Sequence, residues 1–135
     1  MASTTKKPPR VSKPQANKTA LRDAIAAMNA GSAEEYLGLF RADARLHGFP
    51  VGIDDVQSLG EFHSATAGIY PDASVTLDAT VAERDRVATR FTWRASDGSG
   101  RTLVAQGGAI VRFADGRITE CWNLPAELKA VTSDV

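Results

Sequence analysis

The chain has 135 residues, 43% of them hydrophobic and 24% charged, which suffices for one hydrophobic core and excludes a multidomain protein, a disordered chain and a fibrous repeat. Its formal net charge of zero hides a split: Lys6, Lys7, Arg10, Lys13 and Lys18 precede residue 19 with no acid among them, and the rest of the chain is mildly acidic. Those spaced charges, mixed with Pro8, Pro9 and Pro14, fit a disordered basic tail over residues 1–18 better than a nucleic-acid arm, so no nucleic-acid partner is expected. No apolar run approaches the roughly 20 residues of a membrane span, and the start lacks the apolar stretch of a secretory signal; a cytoplasmic protein is expected. Cys121 is the single cysteine, which allows neither an internal disulfide nor a thiolate metal cage. No metal or other cofactor is expected.

The predicted domain covers residues 19–135. Leu21, Ala24, Ile25 and Met28 fall on one helix face and Gly31 stands where that helix should stop, which predicts a first helix over 19–30. Ser32 and Glu35 form a capping-box pattern ahead of Tyr36, Leu37 and Phe40, predicting a short second helix. Ala44 to His47 reads as a first strand, and Phe49, Pro50 and Gly52 turn the chain. Asp54 and Asp55 suit the start of a third helix that carries Val56, Leu59, His63 and Ala67 on one face and runs to about Tyr70.

The period then changes from 3.6 to 2. Val75, Leu77, Ala79 and Val81 alternate with polar residues, and Val87, Thr89, Phe91 and Trp93 do the same after a turn near Asp85, which predicts a hairpin. A long strand over 102–113 comes next, with Gly107 and Gly108 marking a bulge or bend, and Asp115-Gly116 turns the chain into a last strand over 117–124. Three helices and a short strand before a four-strand antiparallel meander indicate an α+β domain with helices on one face of a curved sheet.

Several segments resemble nuclear-transport-factor-2-like domains: Ala26 to Gly31, Leu39-Phe40 and Asp43-Ala44 at the start. Tyr70-Pro71-Asp72 before an alternating strand, Asp85-Arg86-Val87-Ala88 with Arg90, and Asp115-Gly116-Arg117-Ile118 with Glu120 and Trp122 are similar to the SnoaL-like polyketide cyclases of that superfamily. The resemblance, over about residues 19–125, implies a cone-shaped fold with a hydrophobic pocket between helices and sheet, and a homodimer through the outer sheet face. Fold alone does not fix the reaction. The resemblance places the ketosteroid-isomerase carboxylate and tyrosine at Phe49 and Ala24, and the limonene-epoxide-hydrolase triad at Phe91, Trp93 and Asn123, so neither acid/base set is present. The acid that SnoaL-like cyclases carry after the last-strand tryptophan falls at Ala126, with Glu127 the nearest acid.

The remaining candidates are few. His47 precedes the Phe49-Pro50 turn and is the candidate acid/base; the alternative is a structural or surface histidine. Glu120 and Asn123 lie on opposite faces of the last strand, and the resemblance favours Asn123 as the second catalytic candidate. His63 either fills the core or points into the pocket, and Asp72 suits a turn or cap better than catalysis. Phe91 and Trp93 share a face, as an aromatic cavity wall or as core; Phe49, Tyr36 and Gln106 are further binding candidates. Two readings stay open: a metal-free cyclase or isomerase acting on a polyketide-like or aromatic molecule by acid/base chemistry, and a ligand-binding or dimeric scaffold module without turnover.

Overall fold

The computed structural model describes residues 12–132, without the side chains of 125–127 and 132. Helix α1 spans Lys13–Asn29. It starts earlier than the apolar spacing predicts because Ser12 Oγ accepts the Gln15 N–H at 3.3 Å and Pro14 sits in the first turn, where a missing N–H loses no helical bond. Residues 13–18 of the expected tail are therefore helical, with Asn17 buried, while residues 1–11 lie outside the described residues.

Helix α2 spans Ala33–Gly38, and Ser32 makes no side-chain cap bond, so the predicted capping box is not formed there. A capping box closes instead at α3, Val56–Ile69: the Asp55 carboxylate accepts the Ser58 N–H at 2.7 Å, and Ser58 Oγ accepts the Asp55 N–H at 3.2 Å.

The five strands are β1 Phe40–His47, β2 Ser74–Glu83, β3 Arg86–Ser96, β4 Arg101–Ala114 and β5 Arg117–Thr132. They form one mixed sheet in the order β1-β5-β4-β3-β2, with β1 parallel to β5 and every other pair antiparallel. Asp115 and Gly116 both take positive φ, 51° and 80°, as the tight hairpin turn predicted from their sequence requires. Asp72 has the expected capping role, its carboxylate accepting the Ser96 N–H at 3.1 Å.

Two extra residues break the simple alternation. Leu77 pairs with Phe91 but Ala79 pairs with Arg90, so Asp78 is inserted and the faces of β2 exchange beyond it. Val75 and Leu77 face the helices, whereas Val81, predicted on the same face, is 67% exposed on the other side. Asp78 is held by the buried Thr92 hydroxyl at 2.6 Å. In β5 the partners of Arg112 and Phe113 are Glu120 and Ile118, so Thr119 is the inserted residue. A third shift, between Gln106 and Gly108, falls at the predicted Gly107-Gly108 site, where a Cβ on Gly108 would sit 3.2 Å from the Thr89 carbonyl.

The core lies between the inner sheet face and the helices. Leu59 from α3, Val87 from β3 and Ile118 from β5 are fully buried at its centre with Leu21, Phe40 and Leu46 packed around them. Each such burial stabilises by roughly 1.5–3 kcal/mol. Asn29, at the end of α1, donates to the Val75 carbonyl at 2.7 Å and accepts the Val75 N–H at 2.8 Å, so one side chain ties α1 to edge strand β2. Gly48 takes φ 77° immediately after β1, and a Cβ there would overlap the Asn123 carbonyl of β5. Gly98 has a similar φ of 83° with open space around it. Gly48→Ala is therefore expected to cost at least about 2 kcal/mol in urea unfolding, against about 1 kcal/mol for Gly98→Ala.

Candidate functional site

The inner face encloses a cavity of about 790 Å³, within the range of small-molecule sites. Phe91 and Trp93 from β3, Leu77 from β2 and Phe40 from β1 form its aromatic and aliphatic wall, and Phe49 and Pro50 reach it from the turn after Gly48. Phe62 and Ile69 line it yet are 41% and 67% exposed, which marks them as its rim. Among the described residues no Asp, Glu, Lys or Arg lines it.

The polar groups on this wall are neutral side chains. Tyr36 comes from α2, His63 from α3, Thr89 from β3, and Cys121 and Asn123 from β5. The Tyr36 and His63 rings meet edge to face with centroids 5.2 Å apart, and Phe62 also meets His63 edge to face at 5.7 Å. Burial alone lowers the His63 pKa below its ordinary 6.5, because the imidazolium cannot be solvated in this wall. Burial raises the Tyr36 pKa above the usual phenol range, with the nearby Cys121 thiol adding to it, and the Cys121 thiol itself is pushed up to about 12. All three groups are uncharged at neutral pH. Asn123 Nδ2 donates to the Gly48 carbonyl at 3.4 Å, which fixes the amide at the point where β1 leaves the sheet.

Six of the eight site candidates read from sequence open on this cavity: Tyr36, Phe49, His63, Phe91, Trp93 and Asn123. His47 does not. It pairs with Trp122 in the β1–β5 ladder, and because Leu46 and Cys121 turn inward, His47, Glu120 and Trp122 stand on the outer face. There the His47 ring stacks on Trp122 at 5.7 Å and donates from Nε2 to Glu120 Oε2 at 2.6 Å, while Arg86 covers the same indole at 5.4 Å. Gln106 also lies outside, on a shallow apolar depression with Val81, Ile110 and Leu124. The Glu127 side chain lies outside the described residues. Sequence reasoning passed over Thr89 and Cys121, although Thr89 shares the two-residue alternation of Phe91 and Trp93, and Cys121 that of Asn123.

A sheet of this order with helices on one face and an enclosed apolar cavity between them is the architecture of nuclear-transport-factor-2-like proteins. Residues 21–121 match the family profile described as SnoaL-like domain, and the chain belongs to that family. Solved structures agree in fold. IdmH of Streptomyces antibioticus, described as a candidate polyketide cyclase, is 24% identical with a TM-score of 0.71, covering 80% of this chain and 90% of its own. AclR of Streptomyces galilaeus, described as a candidate hydroxylase, is 20% identical with a TM-score of 0.71 over 82% of this chain and 88% of its own. A candidate polyketide cyclase of Bacillus cereus is 19% identical with a TM-score of 0.73 over 84% of this chain and 78% of its own. No curated protein sequence matches the chain. Since cyclase and hydroxylase descriptions share one fold, the reaction has to be argued from the cavity.

The lowered His63 pKa has a consequence for stability. The unfolded chain binds a proton at this group from about pH 6.5 downward while the folded chain resists it, so stability is full above pH 6.5 and falls as pH drops toward the folded value. Asp97, held at about 2 by hydrogen bonds from Ser99 and then Arg101, releases its own contribution only at lower pH. The urea midpoint is expected to fall between pH 7.5 and 5.5, and to fall less in His63→Phe.

Proposed function

We propose that the protein binds an uncharged, flat, hydrophobic small molecule of polyketide-like or other aromatic character in the cavity, and that it acts there as a cyclase or isomerase by acid/base chemistry. The observation that carries this reading is the pairing of an apolar aromatic wall, Phe91 and Trp93, with neutral polar groups that lack acidic or basic neighbours. A charged ligand would lose its hydration there without gaining a counterion, which costs several kcal/mol per ion. A planar molecule gains aromatic contact on Trp93 and hydrogen bonds from the few polar groups. Intramolecular ring closure or isomerisation asks little more of a protein than a shaped cavity and a proton acceptor near an acidic C–H. Membership of the SnoaL-like family and the cyclase descriptions of IdmH and the Bacillus cereus protein support the same direction.

A second reading, a binding module without turnover, draws on one observation: no carboxylate lines the cavity among the described residues. In either case the outer face suits a second copy of the chain, because Val81, Ile110 and Leu124 expose a contiguous apolar depression there.

The ligand class is tested with 2-naphthol and naphthalene-2-sulfonate on a Trp122→Phe background, in which Trp93 is the remaining indole. 2-Naphthol is expected to change Trp93 fluorescence and to bind at least about tenfold more tightly than the sulfonate. Phe91→Ala is expected to weaken it by about tenfold, about 1.4 kcal/mol. Equal affinity for the two compounds would contradict the reading.

A further inference from the structure

The reading of the cavity as an acid/base site leaves open which group takes the proton, and the inference here rests on that reading. Among the described cavity residues the titratable groups are His63, Tyr36, Tyr70 and Cys121. Cys121 is a buried thiol, and Tyr70 packs edge to face on Trp93 at 5.2 Å. His63 is different: it is the only imidazole on the wall, and no described side chain or carbonyl occupies either ring nitrogen with a hydrogen bond. Among the described residues no side-chain nitrogen or oxygen is both fully buried and unpaired, so the bare ring nitrogens of this half-buried histidine reach the open space of the cavity, where a ligand can meet them. The Tyr36 ring packs beside it and lines the same cavity, and its hydroxyl is likewise without a described partner.

We propose that His63 is the proton acceptor of this site and Tyr36 the hydrogen-bond donor to the developing oxyanion, and that the substrate class is an uncharged aromatic ketone with an acidic C–H next to the carbonyl. The C–H bond breaks and its proton passes to the free imidazole nitrogen of His63. The electron pair moves onto the ketone oxygen, which accepts a hydrogen bond from the Tyr36 hydroxyl. Return of the proton from the imidazolium to the same or a conjugated carbon restores both groups, so no oxidant or reductant is needed. Burial favours this division of labour, because it keeps His63 unprotonated and able to accept while Tyr36 keeps its proton and donates. The groups that face His63 are Tyr36 from α2, with Cys121 from β5 and Tyr70 after α3 elsewhere on the wall; none carries charge as a carboxylate, ammonium or guanidinium would.

The test uses the full chain and 2-tetralone, a flat neutral ketone, and follows exchange of its benzylic α-protons in D₂O by proton NMR, with binding measured separately by Trp93 fluorescence on the Trp122→Phe background. The wild type is expected to exchange them above the buffer rate, with a pH profile that rises through a midpoint below 6.5 and then stays level. His63→Gln is expected to bind within about threefold of wild type and to lose at least about 100-fold in catalysed exchange, and Tyr36→Phe to lose about tenfold. Wild-type exchange at the buffer rate despite binding, or full exchange by His63→Gln, overturns the assignment while leaving the binding reading intact. Failure of 2-tetralone to bind where 2-naphthol binds overturns the ketone class. Failure of both compounds overturns the cavity reading itself. Should His63→Gln not fold, imidazole NMR of the wild type decides: the chain has two histidines, so His47→Gln assigns the signals, and the His63 resonances must move on adding 2-tetralone and titrate with the exchange rate. Unmoved His63 signals overturn the proposal.

Discussion

The register of β5 decides what this protein presents to its cavity. The strand lies between β1 and β4, so its side chains are fixed by two ladders at once, one parallel and one antiparallel. Insertion of Thr119 between Ile118 and Glu120 lets Ile118 stay in the core and still turns Cys121 and Asn123 toward the helices. Were Thr119 an ordinary strand residue instead of a bulged one, strict alternation would place Ile118, Glu120 and Trp122 on one face, and a carboxylate and an indole would enter the core. The same register carries β1 with it: Leu46 faces inward beside Cys121, His47 faces outward beside Trp122, and Gly48 then folds the chain closely over Asn123 to deliver Phe49 to the cavity.

The chemistry of the cavity results from the charges this register excludes. With Glu120, Arg112 and Asp85 gathered on the outer side, the inner wall has low polarity, and every titratable group with a resolved shift there moves toward its neutral form. That makes ordinary groups specialised. An imidazole that resists protonation is a usable base near neutral pH, and a phenol that resists ionisation is a dependable donor. Phe62 and Ile69, which form the rim, belong to the same helix as His63.

Much of the fold is legible in the sequence because periodicity reports burial. The face of α3 with Leu59 and His63, the hairpin carrying Phe91 and Trp93, the Asp115-Gly116 turn and the Gly107-Gly108 irregularity each have a local signature. The errors share a different origin. Asp78 and Thr119 are single inserted residues with no compositional mark, and each reverses the facing of the strand residues beyond it, which is why simple alternation puts Val81 inside. His47 is expected at the pocket because it precedes the Phe49 turn, yet a two-residue separation in a strand says nothing about face once a positive-φ glycine lies between. Ser12 is hidden as a cap because it sits among prolines and lysines that suggest a tail. The cavity's inner aromatic pair is recoverable from periodicity, and Asn123 only from the family resemblance, since alternation leaves the face of the last strand open; the pairing of Tyr36 with His63 is not recoverable, since it joins two helices that sequence spacing does not relate.

The central claim is that ligand binds between helices and sheet, not on the outer face where His47, Glu120 and Trp122 gather. A ¹⁵N-resolved NMR titration of the full chain with 2-naphthol tests this directly, because both faces of β5 are read in one spectrum. The account predicts the largest shifts at Tyr36, His63, Phe91, Trp93 and Asn123, with His47, Glu120 and Arg86 unmoved. Shifts concentrated at His47, Glu120 and Trp122 with an unchanged inner wall would contradict it.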